Sequence, residues 1–135
     1  MSRRSLRVLF VCVENSNRSQ MAEAFARLRG RGQVESYSAG SRPSGIVNPK
    51  AVAAMAQLGY DLSTHQSKGL ADIADVEFDA AVTMGCGDAC PMVRAKRRID
   101  WQIPDPKALD PQAFNTVRDM IDQKVQSLLA DLLKE

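Results

Sequence analysis

The chain has 135 residues, of which 44% are hydrophobic and 25% charged, with a formal net charge of +2. That length makes one domain, residues 1–135, with a core of two or three layers, and the composition excludes a disordered or fibrous chain. The charge balance is too even to argue for nucleic acid or an anionic membrane, and the basic group Arg94, Lys96, Arg97 and Arg98 reads as a solvated face or a partner surface.

The opening, MSRRSLRVLFVCV, is basic and then apolar, as a secretory signal would be. The apolar run ends at Val13 and lacks a small-residue cleavage site. No segment nears the ~18 apolar residues of a membrane span. The expected place is the cytoplasm, where thiols stay reduced, so three cysteines point to chemistry or metal before a structural staple.

In chain order, Leu6 to Val11 predicts a buried strand of the parallel type, and Ser19 to Leu28 a helix that Gly30 stops. Val34 to Ala39 is a second strand. Pro49 to Leu58 is a helix with Asn48 as N-cap and Gly59 as C-cap. Lys68 to Ala74 is a weaker helical turn, Phe78 to Met84 a third strand, and Cys86 to Ala95 a short helix or a loop. Arg98 to Gln102 is a fourth strand. Phe114, Val117, Ile121, Val125, Leu128 and Leu132 recur at helical spacing from Pro111 to Leu133. This alternation predicts an α/β domain with a four-stranded parallel sheet flanked by helices. Ligands of such sheets sit beyond the carboxyl ends of the strands. Cys12, Cys86 and the loop Pro104-Asp105-Pro106 all fall there.

The strand-to-helix loop is the strongest chemical signal. A loop entering a helix leaves backbone N–H groups unpaired beside a partial positive charge, which suits a tetrahedral oxyanion. Val13, Glu14, Asn15, Ser16, Asn17, Arg18 and Ser19 are the candidate binding residues, with the Arg18 guanidinium gripping two oxygens. The same field favours a thiolate, so Cys12 is expected to be nucleophilic near neutral pH. Ser19 can donate its hydroxyl to that sulfur, and Asn15 tolerates the left-handed backbone a tight loop demands. Asp105 lies between two prolines that fix its backbone, and a carboxyl there suits a general acid.

CVENSNRSQMAEAF, from Cys12 to Phe25, resembles the loop of the low-molecular-weight tyrosine phosphatase fold. Asn15 to Glu23, Ser38 to Lys68 and VTMGCGDACP, from Val82 to Pro91, resemble the arsenate reductases that share it. The resemblance covers nearly the whole chain. It implies a three-layer single-domain fold and two possible activities, of which arsenate reduction is the first reading and phosphotyrosine hydrolysis the alternative. A hydrolase needs one cysteine, whereas reducing arsenate takes two electrons from thiols. The implied cascade uses Cys12 as nucleophile, Cys86 as the thiol that attacks it, and Cys90 as the thiol that passes the oxidised pair outward. Arsenate, phosphate and sulfate are the implied oxyanions. Thioredoxin, or glutathione with glutaredoxin, is the implied reductant. No cofactor and no resident metal are expected, and the chain is read as a monomer.

Several departures sharpen this reading. Glu14 stands where many relatives carry a small residue, so its side chain is expected to point to solvent. Lys107 follows Asp105-Pro106 where phosphatases commonly place an aromatic, which counts against an aromatic phosphoester. Some relatives hold potassium with residues corresponding to Asn15, Glu23, Ser38 and an aspartate; Lys68 stands at that last position and can supply an ammonium instead. Gly85 and Gly87 flank Cys86, so residues 85–95 are expected to change conformation with redox state. Two rival readings are a zinc site made by Cys12, Cys86, Cys90 and His65, which has poor ligand spacing, and a phosphoryl-carrier module, which would have little use for Arg18. His65 is otherwise given no catalytic weight.

Overall fold

The structure, a computed structural model, describes residues 5–73, 76–84 and 93–134. β1 (Leu6–Cys12) leads through the candidate loop into α1 (Arg18–Gly30), followed by β2 (Val34–Gly40) and α2 (Pro49–Ala56). β3 (Ala80–Thr83), β4 (Arg98–Asp100) and α3 (Pro111–Leu133) complete the order. The described strands form one parallel sheet in the order β2-β1-β3-β4. β1 is central, which is why it reads as a continuous apolar run: Val8 and Phe10 pack on one face, Leu9 and Val11 on the other.

All three α-helices lie on the Val8–Phe10 face. Met21, Ala22 and Phe25 of α1, Ala51 and Met55 of α2, and Phe114, Ile121 and Val125 of α3 share one apolar cluster with it. Among the described residues, the other face is covered by Leu70 and Ile73 around a 3₁₀ turn and by Val76, Val93 and Ala95. Trp101 packs against Phe10 with ring centroids 5.9 Å apart, a core role as its lone occurrence suggests.

α3 has the bounds its apolar spacing predicts, and Asp110 caps it by accepting from the Ala113 N–H at 2.8 Å. Asn48 caps α2 through the Lys50 N–H. α2 ends two residues earlier than predicted, and Gly59 serves the turn beyond it at φ +82°. Gly30 does not supply the left-handed residue that ends α1; Arg31 does, at φ 49°. Gly30 supplies room instead, since a Cβ there would lie 2.9 Å from the Val34 side chain. The expected turn over Lys68 to Ala74 is a 3₁₀ turn at Leu70–Asp72, with Ala74 outside the described residues. β3 and β4 are each shorter than expected, although Phe78 still pairs with Ala95 in an isolated parallel bridge. Residues 85–92, with Cys86 and Cys90, lie outside the described residues, and so does most of the expected Cys86–Ala95 element. Among the described residues, no helix is long and apolar enough to cross a membrane.

Candidate active site

The loop from Cys12 to Arg18 leaves the carboxyl end of the central strand and is held from outside by the chain after β2. The carbonyls of Cys12, Val13, Glu14 and Ser16 accept from the backbone N–H groups of Ser41, Arg42, Ser44 and Asn48 at 2.8–3.1 Å. With the carbonyls engaged on that side, the N–H groups between Glu14 and Arg18 have no acceptor among the described residues and are available to an anion. Gly40 makes this approach possible. A Cβ at position 40 would fall 2.6 Å from the Val13 carbonyl oxygen and 2.9 Å from the Asn15 nitrogen.

Cys12 sits at the floor, 2% exposed, with its Sγ 2.9 Å from Ser19 Oγ. Ser19 Oγ also accepts from the Asn15 side-chain amide at 2.8 Å. That second bond occupies a lone pair of the hydroxyl and leaves its proton for the sulfur, the arrangement a thiolate needs. Asn15 adopts φ 51°, as its short polar side chain permits.

A buried chain of hydrogen bonds extends behind Asn15. The Gln20 amide donates to the Asn15 carbonyl oxygens of backbone and side chain, at 3.1 and 2.9 Å, and to the Gln66 carbonyl at 2.8 Å. Gln20 Oε1 therefore accepts from His65 Nδ1 at 2.8 Å, and His65 Nε2 lies 2.6 Å from the Tyr60 hydroxyl. His65 carries a proton on Nδ1 in this pattern, the Arg27 guanidinium lies 3.4 Å from Nε2, and burial lowers the imidazole pKa towards the neutral form, against the opposing pull of Glu23. His65 thus touches no substrate but supports the loop at two removes. Sequence reading missed that role because the contact joins residues 45 positions apart.

Arg18 is buried and donates to the Ile103 carbonyl at 3.0 Å, tying the cradle to the chain that carries Asp105. Among the described residues no carboxylate pairs with its guanidinium, so its charge is left for a ligand. Asp105 is exposed, and its Oδ1 accepts from the Lys107 N–H at 3.0 Å. Cys12, Val13, Glu14, Ser16, Asn17, Arg18 and Asp105 line one cavity of about 120 Å³. That is well below the ~300 Å³ at which sites begin to enclose larger organic ligands, and it suits a small tetrahedral anion. The structure thus brings Cys12, the loop and Asp105 together. Ser19, which does not line the cavity, acts from behind the sulfur.

Two of the departures find partners. Glu14 does not simply face solvent; its carboxylate lies 3.0 Å from Lys107 Nζ. Lys68 places its ammonium 3.8 Å from Glu23 Oε1. The buried Glu23 carboxylate also accepts from Ser38 Oγ and pairs with Arg27, each at 2.5 Å. Arg27 and Lys68 thus both face the buried Glu23 carboxylate.

The whole arrangement matches a known family. The model of low molecular weight phosphotyrosine protein phosphatases matches residues 7–135. The chain belongs to that family. Its relatives place it among the family's arsenate reductases. It is 36% identical over 129 residues to a glutaredoxin arsenate reductase of Synechocystis, covering 93% of this chain and 98% of the relative. Among solved structures it is similar to an arsenate reductase in the phosphate-binding state, with TM-score 0.85, 35% identity and coverage of 93% and 98%. It is also similar to the thioredoxin-dependent arsenate reductase of Corynebacterium glutamicum, with TM-score 0.81 and 29% identity over the whole chain and 66% of that larger one.

Proposed function

We propose that this chain reduces arsenate to arsenite through a relay of its three cysteines, with Arg18 and the loop amides holding the oxyanion. The Cys12 thiolate attacks arsenic and forms an S–As bond while one oxygen leaves, protonated by Asp105. Cys86 then attacks Cys12 Sγ. The S–As electron pair passes to arsenic, which departs as arsenite, and a Cys12–Cys86 disulfide remains. Cys90 attacks Cys86, freeing Cys12 as thiolate, and an external dithiol of the thioredoxin or glutaredoxin kind reduces the Cys86–Cys90 disulfide by two electrons. Such a relay belongs in a reducing compartment, which supports the cytoplasm as its place.

The observation that carries the reading is the Cys12 sulfur facing an oriented Ser19 hydroxyl at the floor of a cavity sized for a small anion, with Arg18 and Asp105 on its walls. Cys86→Ser is the deciding variant. Arsenate-dependent consumption of NADPH, coupled through thioredoxin or glutaredoxin, should vanish, while hydrolysis of p-nitrophenyl phosphate, if the wild type shows any, should persist. Arsenate reduction undiminished in Cys86→Ser would overturn the relay, and a wild type that hydrolyses p-nitrophenyl phosphate but does not reduce arsenate would return the chain to a hydrolase reading.

A further inference from the structure

A carboxylate on the wall of an anion site is unfavourable unless something neutralises it. Glu14 lines the cavity two residues after the nucleophile. Lys107 lies two residues after the acid and reaches back across 93 positions of sequence to place Nζ 3.0 and 3.3 Å from the two Glu14 oxygens. Both residues are among those that depart from the family pattern, and the structure joins them to each other. Their side chains are 37% and 59% exposed, so the bridge lies on the solvent side of a cavity whose floor is the buried Cys12.

The base of the acid loop is held separately. Lys50, on the first turn of α2, donates through Nζ to the Lys107 and Leu109 carbonyls at 3.1 and 3.3 Å. The Lys107 backbone is therefore anchored whether or not its side chain engages Glu14. Breaking the ion pair opens the rim without releasing the loop.

We propose that Glu14 and Lys107 form a charged clasp across the mouth of the site and make it selective for free oxyanions over organic esters. This deepens the arsenate reductase reading and rests on it only for the identity of the natural substrate. A free arsenate or phosphate fits beneath the clasp. A monoester must project its organic group outward, which displaces Lys107 and leaves Glu14 unpaired beside a second anion. An exposed ion pair resists such displacement by a factor of about five at most, so the clasp is a discriminator of moderate strength.

The test measures binding rather than turnover. Alkylation of Cys12 by iodoacetamide is followed on its own peptide by mass spectrometry, with inorganic phosphate or phenyl phosphate as protecting ligand. Wild type should be half-protected by phosphate at a concentration several-fold lower than by phenyl phosphate. In Lys107→Ala the concentration of phenyl phosphate for half protection, relative to that of phosphate, should fall about fivefold. Glu14→Gln should shift the same ratio in the same direction, and Lys107→Arg should keep the wild-type ratio. An unchanged ratio in both Lys107→Ala and Glu14→Gln overturns the clasp, as does an absence of phosphate protection in wild type. A chain that shows the shift but does not reduce arsenate would refute the proposed reaction while leaving the clasp standing.

Discussion

The two loops that meet over the cavity are held in opposite ways. The loop carrying Cys12 is buried, and its sulfur is fixed by a side-chain chain running from Ser19 through Asn15 and Gln20 to His65. The loop carrying Asp105 is exposed, steadied by flanking prolines, by Lys50 and by a surface ion pair. Buried hydrogen bonds in a low dielectric define one geometry, because a displaced donor finds no water to replace its partner. Exposed charge pairs let a loop shift at small cost. The Cys12 sulfur is thus held in one place, while the Asp105 carboxyl can shift at small cost.

Variants on either side should separate these roles, beginning with the largest effect. Asp105→Asn removes the proposed proton donor and is expected to lower kcat for arsenate about 10²–10⁴-fold. Cys12 alkylation should be unaltered, since the sulfur's network does not include Asp105; a matching loss of thiol reactivity would show that the loops are not independent. Under the proposed mechanism Ser19→Ala deletes a hydrogen bond to the attacking sulfur, of the kind worth ~1.5–3 kcal/mol. Alkylation of Cys12 at pH 7 should slow roughly tenfold or more, with phosphate still protecting.

Gly40→Ala drives a Cβ against the Val13 carbonyl and should cost about 1–3 kcal/mol in urea unfolding. It should weaken phosphate protection as well, which a purely structural strain far from the loop would not do. The smallest effect is a pH dependence. Burial keeps His65 neutral in the folded chain, while the unfolded chain takes up a proton below about pH 6.5. Stability is therefore full above that pH and falls as the solution is acidified, until the folded imidazole also titrates. His65→Gln should lose less stability than wild type between pH 7.5 and 5.5; equal losses would remove His65 from the network.

Sequence revealed whatever is local. The apolar run of β1 and the helical spacing of α3 are periodic within one element, and Cys12, Asn15, Arg18 and Ser19 lie within one loop and one helical turn. What stayed hidden joins distant segments. Neither the Gln20–His65 bond nor the Glu14–Lys107 pair has a local pattern, and each depends on how the crossovers bring loops together. Glu14 was accordingly expected to face solvent, because the residue that neutralises it could not be seen. β3 and β4 are short enough that pairing, rather than propensity, sets their ends.

The strand order also has a kinetic side. β1 pairs with β2 across a single crossover helix, but its pairing with β3 waits for some seventy residues of intervening chain. Loop-closure entropy makes the β1–α1–β2 unit the least costly nucleus of the sheet. Mutations in that unit should slow refolding, whereas those in β4 should mainly hasten unfolding. The Cys12 loop would then take shape early, before the segment bearing Asp105 has docked.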